Sequence, residues 1–350
     1  MYLIPIVSVV FLNIVQLVSN ESKCGRPLGS NFTIQSERIV SGYDIGYYRY
    51  PWYAALMEKN QVACGGALIS NKFVLTAAHC YKDYLMRNTG RKLEEIYTVR
   101  LGVYNICSTE KSVDQFSIEK VQVHELYLKK KPYFDICLLT LKENAAKFEP
   151  VCLPRNVISP RPKEGTVPGL GALKHEGPMP CTVQEARLLI YPDTACRKMI
   201  NDSGNNPSDV VNAFCAGYLA GGIDTCQGDS GGPFEILDES GKYVLLGLVS
   251  FGFDCAMPGY LGMYTDVSRY ISWIQNKTGL SDTQFLDSSH DSKQSDSGSE
   301  EHNQSETVLH TIHRYPHRRE PLKIIIIRNK QRKHEAERKL KGTKGKINHN

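Results

Sequence analysis

The chain has 350 residues, 41% of them hydrophobic and 23% charged. That is enough apolar material for a substantial core, and it excludes a wholly disordered or collagen-like protein. The net charge of +5 is unevenly placed: residues 281–350 hold 14 Lys and Arg against 10 Asp and Glu, leaving the first 280 near neutral, so nothing there demands a nucleic-acid partner for the folded part.

Eleven cysteines without a single C-x-x-C pair argue against zinc and thioredoxin-like sites and for an oxidising compartment. In chain order, residues 1–20 are uncharged and dominated by Ile, Val and Leu. They read as a secretory signal peptide; the missing positive n-region keeps an uncleaved signal anchor as the alternative. Residues 21–38 carry only Cys24, too little for a separate disulfide module. From Ile39 to about Gly279, short β-rich runs recur at Gly66–Ser70, Phe73–Thr76, Ile96–Leu101 and Tyr243–Ser250. Gly, Pro, Asn and Asp punctuate them, and no long amphipathic helix intervenes. The expectation is an all-β sandwich or barrel of about 240 residues. Val267, Tyr270, Ile271 and Ile274, around Trp273, predict a helix at its end. Residues 280–350 turn acidic and then basic and read as a disordered tail. The isoleucines at 324–327 are too few to span a membrane. Asn31, Asn201, Asn276 and Asn303 head N-x-S/T triplets and are glycosylation candidates.

Chemistry concentrates in Asp224-Thr-Cys-Gln-Gly-Asp-Ser-Gly-Gly-Pro233. Gly228-Asp-Ser230-Gly-Gly232 satisfies G-x-S-x-G, but that nucleophile elbow needs a histidine downstream. The first one after Ser230 is His290, inside the tail, so the elbow reading fails. Upstream, Leu75-Thr-Ala-Ala-His-Cys80 supplies His79, and Tyr133-Phe-Asp-Ile-Cys supplies Asp135 ahead of a hydrophobic run. The order His79, Asp135, Ser230 is one of the known orders for a serine triad.

Together with Arg38-Ile-Val-Ser-Gly42, Thr76-Ala-Ala-His-Cys80, Asp135-Ile-Cys-Leu-Leu139, Gly228-Asp-Ser-Gly-Gly-Pro233 and Val249-Ser-Phe-Gly252, the chain resembles the chymotrypsin-like (trypsin-fold, S1) serine proteases. It is similar in look to arthropod extracellular cascade proteases. The resemblance implies two six-stranded antiparallel β-barrels with the active site between them and a C-terminal α-helix. It implies His79, Asp135 and Ser230 as the triad, and the N–H groups of Gly228 and Ser230 as the oxyanion hole. Asp224 would floor a specificity pocket bordered by Ser250, Gly252 and Gly262, selecting Arg or Lys. Leu261 and Met263 flank Gly262 unlike the family, and Leu170 and Phe251 stand where tryptophans are usual, which points to altered packing and subsite preference.

The resemblance also implies activation by cleavage after Arg38, with the new Ile39 ammonium meeting Asp229. Residues 21–38 would be the activation peptide and 39–279 the protease domain. Pairings Cys24–Cys152, Cys64–Cys80, Cys196–Cys215 and Cys226–Cys255 follow from it; Cys107–Cys181 is proposed as a fifth, leaving Cys137 as a free core thiol. Expected partners are protein substrates, a trypsin-like activator and serpin-type or other protein inhibitors, and a monomer is expected; the basic tail could dock on polyanions, the alternative being a solvated tail that is trimmed away. No metal or cofactor is implied, and the destination is secreted and extracellular. The competing function is a catalytically inactive homologue acting as cofactor or scaffold.

Overall fold

The computed structural model describes residues 24–27, 43–44, 49–87, 90–108, 113–129, 133–204, 212–252, 255–280 and 285–286. The signal peptide, Arg38, Ile39, Asn31, Asn303 and the basic tail lie outside them. Chain packing divides the polypeptide into Met1–Asp291 and Ser292–Asn350, and every described residue belongs to the first.

Sixteen strands follow among the described residues. They are β1 Tyr43–Asp44, β2 Tyr53–Glu58, β3 Gln61–Ser70, β4 Phe73–Thr76, β5 Thr98–Leu101, β6 Asp114–Phe116, β7 Ile118–Val123 and β8 Cys137–Leu141. Then come β9 Leu153–Pro154, β10 Glu164–Gly169, β11 Gln184–Ile190, β12 Ala213–Gly217, β13 Pro233–Leu237, β14 Tyr243–Phe251, β15 Gly262–Asp266 and β16 Phe285–Leu286. The helices are α1 Lys82–Arg87, α2 Glu125–Leu128, α3 Asp193–Asp202 and α4 Ile271–Thr278.

Fourteen of the strands form two seven-membered antiparallel sheets. The first runs β6-β5-β2-β3-β4-β8-β7. Its two edges, β6 and β7, are separated in the chain only by Ser117, so one bent stretch bounds both sides and rolls the sheet up. The second runs β1-β11-β10-β13-β14-β15-β12, and β11 also pairs with β12, which closes it. With Asp114–Val123 counted as one interrupted strand and β1 set aside, each barrel has six strands.

Barrel strands covered on both faces read as unbroken apolar runs. Ile136, Cys137, Leu138, Leu139 and Leu141 are all 0% exposed. Trp52, Leu68 and Leu75 join them in the first core, against which Val267, Tyr270, Ile271 and Ile274 pack. These four are the predicted helical stripe, divided between a 3₁₀ turn at Val267–Tyr270 and α4. Gly279, at φ 66°, ends α4 with its N–H on the Gln275 carbonyl at 2.8 Å, the left-handed stop that glycine takes without a Cβ penalty. The second core gathers Phe214, Phe234, Val244 and Tyr264. Helix α3, which the sequence reading lacked, turns Cys196, Met199 and Ile200 onto β12 and β15.

Five disulfides are present: Cys24–Cys152, Cys64–Cys80, Cys107–Cys181, Cys196–Cys215 and Cys226–Cys255. Cys137 is free and buried, and burial pushes its thiol pKa up. Cys107–Cys181 joins the barrels beside the Asn105–Thr182 bridge. Of the tail beyond Leu280, only Phe285–Leu286 is described, and it adds a parallel strand to β9.

Candidate active site

The first barrel supplies a histidine and an acid. β4 delivers the chain into a 3₁₀ turn, Ala78–Tyr81, and His79 sits in it with its side chain 28% exposed. Asp135 lies just before β8, which pairs with β4 through Thr76 and Cys137. The two side chains are therefore neighbours because their strands are. The His79 backbone N–H donates to Asp135 Oδ1 at 2.8 Å, and its Nδ1 lies 2.7 Å from Oδ2. An ionised carboxylate only accepts, so Nδ1 carries the proton and Nε2 is left with its lone pair.

Asp135 is 3% exposed. Burial alone would raise its pKa, but the facing His79 charge and hydrogen bonds from His79 and Ser250 outweigh it and hold it low. Burial would lower His79, and Asp135 overrides it, leaving the imidazole above its ordinary value. The Ser250 hydroxyl donates to Asp135 Oδ2 at 2.6 Å; a residue expected at the specificity pocket thus turns to the acid. Thr265 donates to the Asp135 carbonyl at 2.9 Å, a contact with no signal in the sequence.

Ser230 comes from the second barrel, on the loop before β13. Its carbonyl accepts from Gly65 N–H at 2.7 Å, and Gly231 N–H donates to the Val249 carbonyl at 2.8 Å. Gly231 has φ 77°, and a Cβ there would stand 2.2 Å from Thr76 Oγ1 and 2.8 Å from Ala77 N. The serine loop is thus pressed onto the strand that ends three residues before His79, and only glycine permits it. The Cys64–Cys80 disulfide closes the same junction, its Cys80 sulphur 3.7 Å from the Ser230 carbonyl oxygen.

Asp229 is buried beside the serine. Its carboxylate accepts from Gly171 N–H at 2.7 Å and Cys226 N–H at 2.9 Å. Burial nonetheless pushes its pKa up to about 6. Asp224 accepts from Thr225 N–H at 2.8 Å and Ala256 N–H at 3.1 Å, and burial likewise raises it to about 6. A cavity runs past both acids and the Cys226–Cys255 bridge. A Cβ on Gly262 would come 3.0 Å from Asp224 Oδ1, which puts Gly262 beside the acid. Gly252 is exposed at the end of β14. Gly228 is buried with φ 102°, and a Cβ on it would meet the Met179 methyl at 2.8 Å.

Two barrels that bring a hydrogen-bonded His–Asp pair against a serine loop define the chymotrypsin-like class of serine proteases. The chain belongs to the trypsin family: the family model described as Trypsin matches residues 39–274. Among curated proteins it is 33% identical to the proclotting enzyme of Tachypleus tridentatus over 250 residues, 68% of this chain and 65% of that one. It is 34% identical to transmembrane protease serine 11G of Rattus norvegicus over 265 residues, 74% of this chain and 59% of that one. It is 32% identical to serine protease filzig of Drosophila melanogaster over 276 residues, 75% of this chain and 15% of that one. The chain therefore spans less than two thirds of the length of these relatives. No helix among the described residues is long and apolar enough to cross a membrane.

Proposed function

We propose that this chain is a secreted serine endopeptidase that cleaves after Arg or Lys and is made as a zymogen. The observation that carries the reading is the His79–Asp135 pair at 2.7 Å with the Ser230 loop clamped to the strand that delivers His79. In this reading His79 Nε2 takes the Ser230 hydroxyl proton as Oγ attacks the scissile carbonyl, then returns it to the leaving amine. Asp135 holds the tautomer and stabilises the imidazolium. The oxyanion is received by the N–H groups of Gly228 and Ser230, each such donor being worth on the order of 10²–10³ in rate. Asp224 meets the substrate cation, since a partly desolvated carboxylate rewards a charged partner.

Cleavage between Arg38 and Ile39 frees an ammonium for Asp229. Removing one partner of such a buried pair costs about 3–5 kcal/mol, enough to switch the oxyanion loop between two states. Residues 1–20 are then the signal peptide and 21–38 the activation peptide, tethered through Cys24–Cys152; 39–279 is the protease domain and 280–350 the tail. Five disulfides support an oxidising destination. An upstream trypsin-like protease serves as activator and serpin-type proteins as inhibitors of a monomeric enzyme; the basic tail is the polyanion-binding element. Asn201 and Asn276 are exposed on α3 and α4 and remain glycosylation candidates with Asn31 and Asn303.

The test is to treat the full chain with trypsin and measure phosphonate labelling and cleavage of P1-Arg peptides. Wild type labels and cleaves, Ser230→Ala does neither, and Arg38→Gln is folded but inactive. An activated wild type that neither labels nor cleaves would establish the inactive homologue instead.

A further inference from the structure

An aromatic platform lies behind Asp135, and His124 is at its centre. The His124 ring stacks on Phe134 at 5.3 Å and 14°. It stands edge-on to Tyr270 at 5.4 Å and tilted to Trp273 at 5.2 Å. Phe134 is the residue immediately before Asp135. On the other side, the His124 backbone N–H donates to the Ile136 carbonyl at 3.1 Å. One residue thus brackets the aspartate through both of its chain neighbours. His124 also caps α2, its Nδ1 accepting from Leu126 N–H at 3.2 Å. An imidazolium has no lone pair to accept with, so this cap exists only while the ring is neutral.

We propose that His124 is a positioning residue for the Asp135–His79 pair, and that its protonation releases the α2 cap, loosens the Asp135 loop and lowers activity at acid pH.

The groups facing the ring come from every element around it. Glu125 on α2 favours the charged form and Lys277 on α4 opposes it. Those two also pair with each other at 2.6 Å, and Trp273 Nε1 donates to Glu125 at 3.0 Å. Tyr270, from the 3₁₀ turn, and Phe134, next to Asp135, complete the surroundings. Burial dominates and, with Lys277, holds His124 below its ordinary value, whereas His79 sits above its own. Lowering the pH therefore protonates His79 first and His124 second. The acid limb of log kcat/KM falls with unit slope and steepens where His124 protonates, by an added drop on the order of fivefold that matches loss of the cap.

This inference rests on the protease reading above. The full chain is activated with trypsin, its competent sites are counted by phosphonate titration, and kcat/KM on a P1-Arg peptide is followed from roughly pH 4 to 9. His124→Phe keeps the stack but loses the acceptor, and lowers kcat on the order of fivefold with KM unchanged. His124→Asn restores a capping acceptor that does not titrate, recovers most of that loss, and gives a single slope of one. A unit slope throughout in wild type, or the same steep limb in His124→Asn, overturns the proposal. Histidine NMR titration of the Ser230→Ala chain decides it independently of turnover. The His79 pKa falls toward its ordinary value in a Ser230→Ala/His124→Phe double variant, and an unchanged His79 pKa overturns the proposal. A chain that takes no phosphonate label sinks the protease reading alone.

Discussion

Gly171→Ala tests how the oxyanion loop is held, at a position that touches no triad residue. A methyl there would stand 2.2 Å from Asp229 Oδ2 and 2.5 Å from Oδ1, inside any real contact distance. The Gly171 N–H itself donates to Oδ1 at 2.7 Å. The new methyl therefore pushes away the group its own backbone holds. Relaxation is limited, because Leu170 is 0% exposed and Asp229 is buried. Overpacking of this kind costs about 1–3 kcal/mol, and one lost hydrogen bond to a charged acceptor costs about 1.5–3 kcal/mol. The combined penalty of about 2.5–6 kcal/mol falls on Asp229, which lies between Gly228 and Ser230 in the chain. At about 1.4 kcal/mol per tenfold, kcat/KM on a P1-Arg peptide drops by roughly 10²–10⁴, while circular dichroism reports an intact fold. A Gly171→Ala enzyme within about threefold of wild type would show that the Asp229 contacts do not hold the loop.

Asp224→Ser lowers kcat/KM for P1-Arg peptides by orders of magnitude, and retained efficiency would place the cation's partner elsewhere. In wild type, affinity for a benzamidine-type cation is full above the Asp224 pKa and weakens as pH falls through about 6, where burial has moved that acid. Arg161→Ala strands Asp266, whose side chain is 1% exposed and which Arg161 meets at 2.7 Å. The loss is about 3–5 kcal/mol, softened by Arg269 at 3.3 Å, and at about 2–4 °C per kcal/mol calorimetry reads it as a marked fall in Tm. An unchanged Tm would make the network incidental.

The strands were legible where burial and chain breaks coincide. Phe73–Thr76 is a strand over the span its composition suggests, because buried Val74, Leu75 and Thr76 and a half-buried Phe73 run between a tight turn and the His79 bend. Ile96–Leu101 shortens to β5, since Leu93–Glu95 forms a 3₁₀ turn and pairing with β2 begins at Thr98. Helix α3 was hidden because three apolar residues, Cys196, Met199 and Ile200, are all it buries, and they sit among charges within a β-rich texture. Phe285–Leu286 gave no pattern at all: a two-residue parallel pairing is decided by its distant partner.

The site divides along the same physical line. His79, Asp135 and Ser230 announce themselves because each sits in a local motif whose neighbours must be small, apolar or glycine. What holds them does not, because those contacts close long loops. Ser250 reaches Asp135 across 115 residues, Thr265 across 130, and Gly171 reaches Asp229 across 58. Glu235 is the extreme case. It is 0% exposed on β13, burial pushes its pKa well up, and its partner is the indole N–H of Trp52, 183 residues earlier. An acid five residues after the serine reads locally as a solvated charge. Only the closing of the two barrels on each other turns it into a buried carboxyl that joins them, so the chemistry is written locally while its support is written in topology.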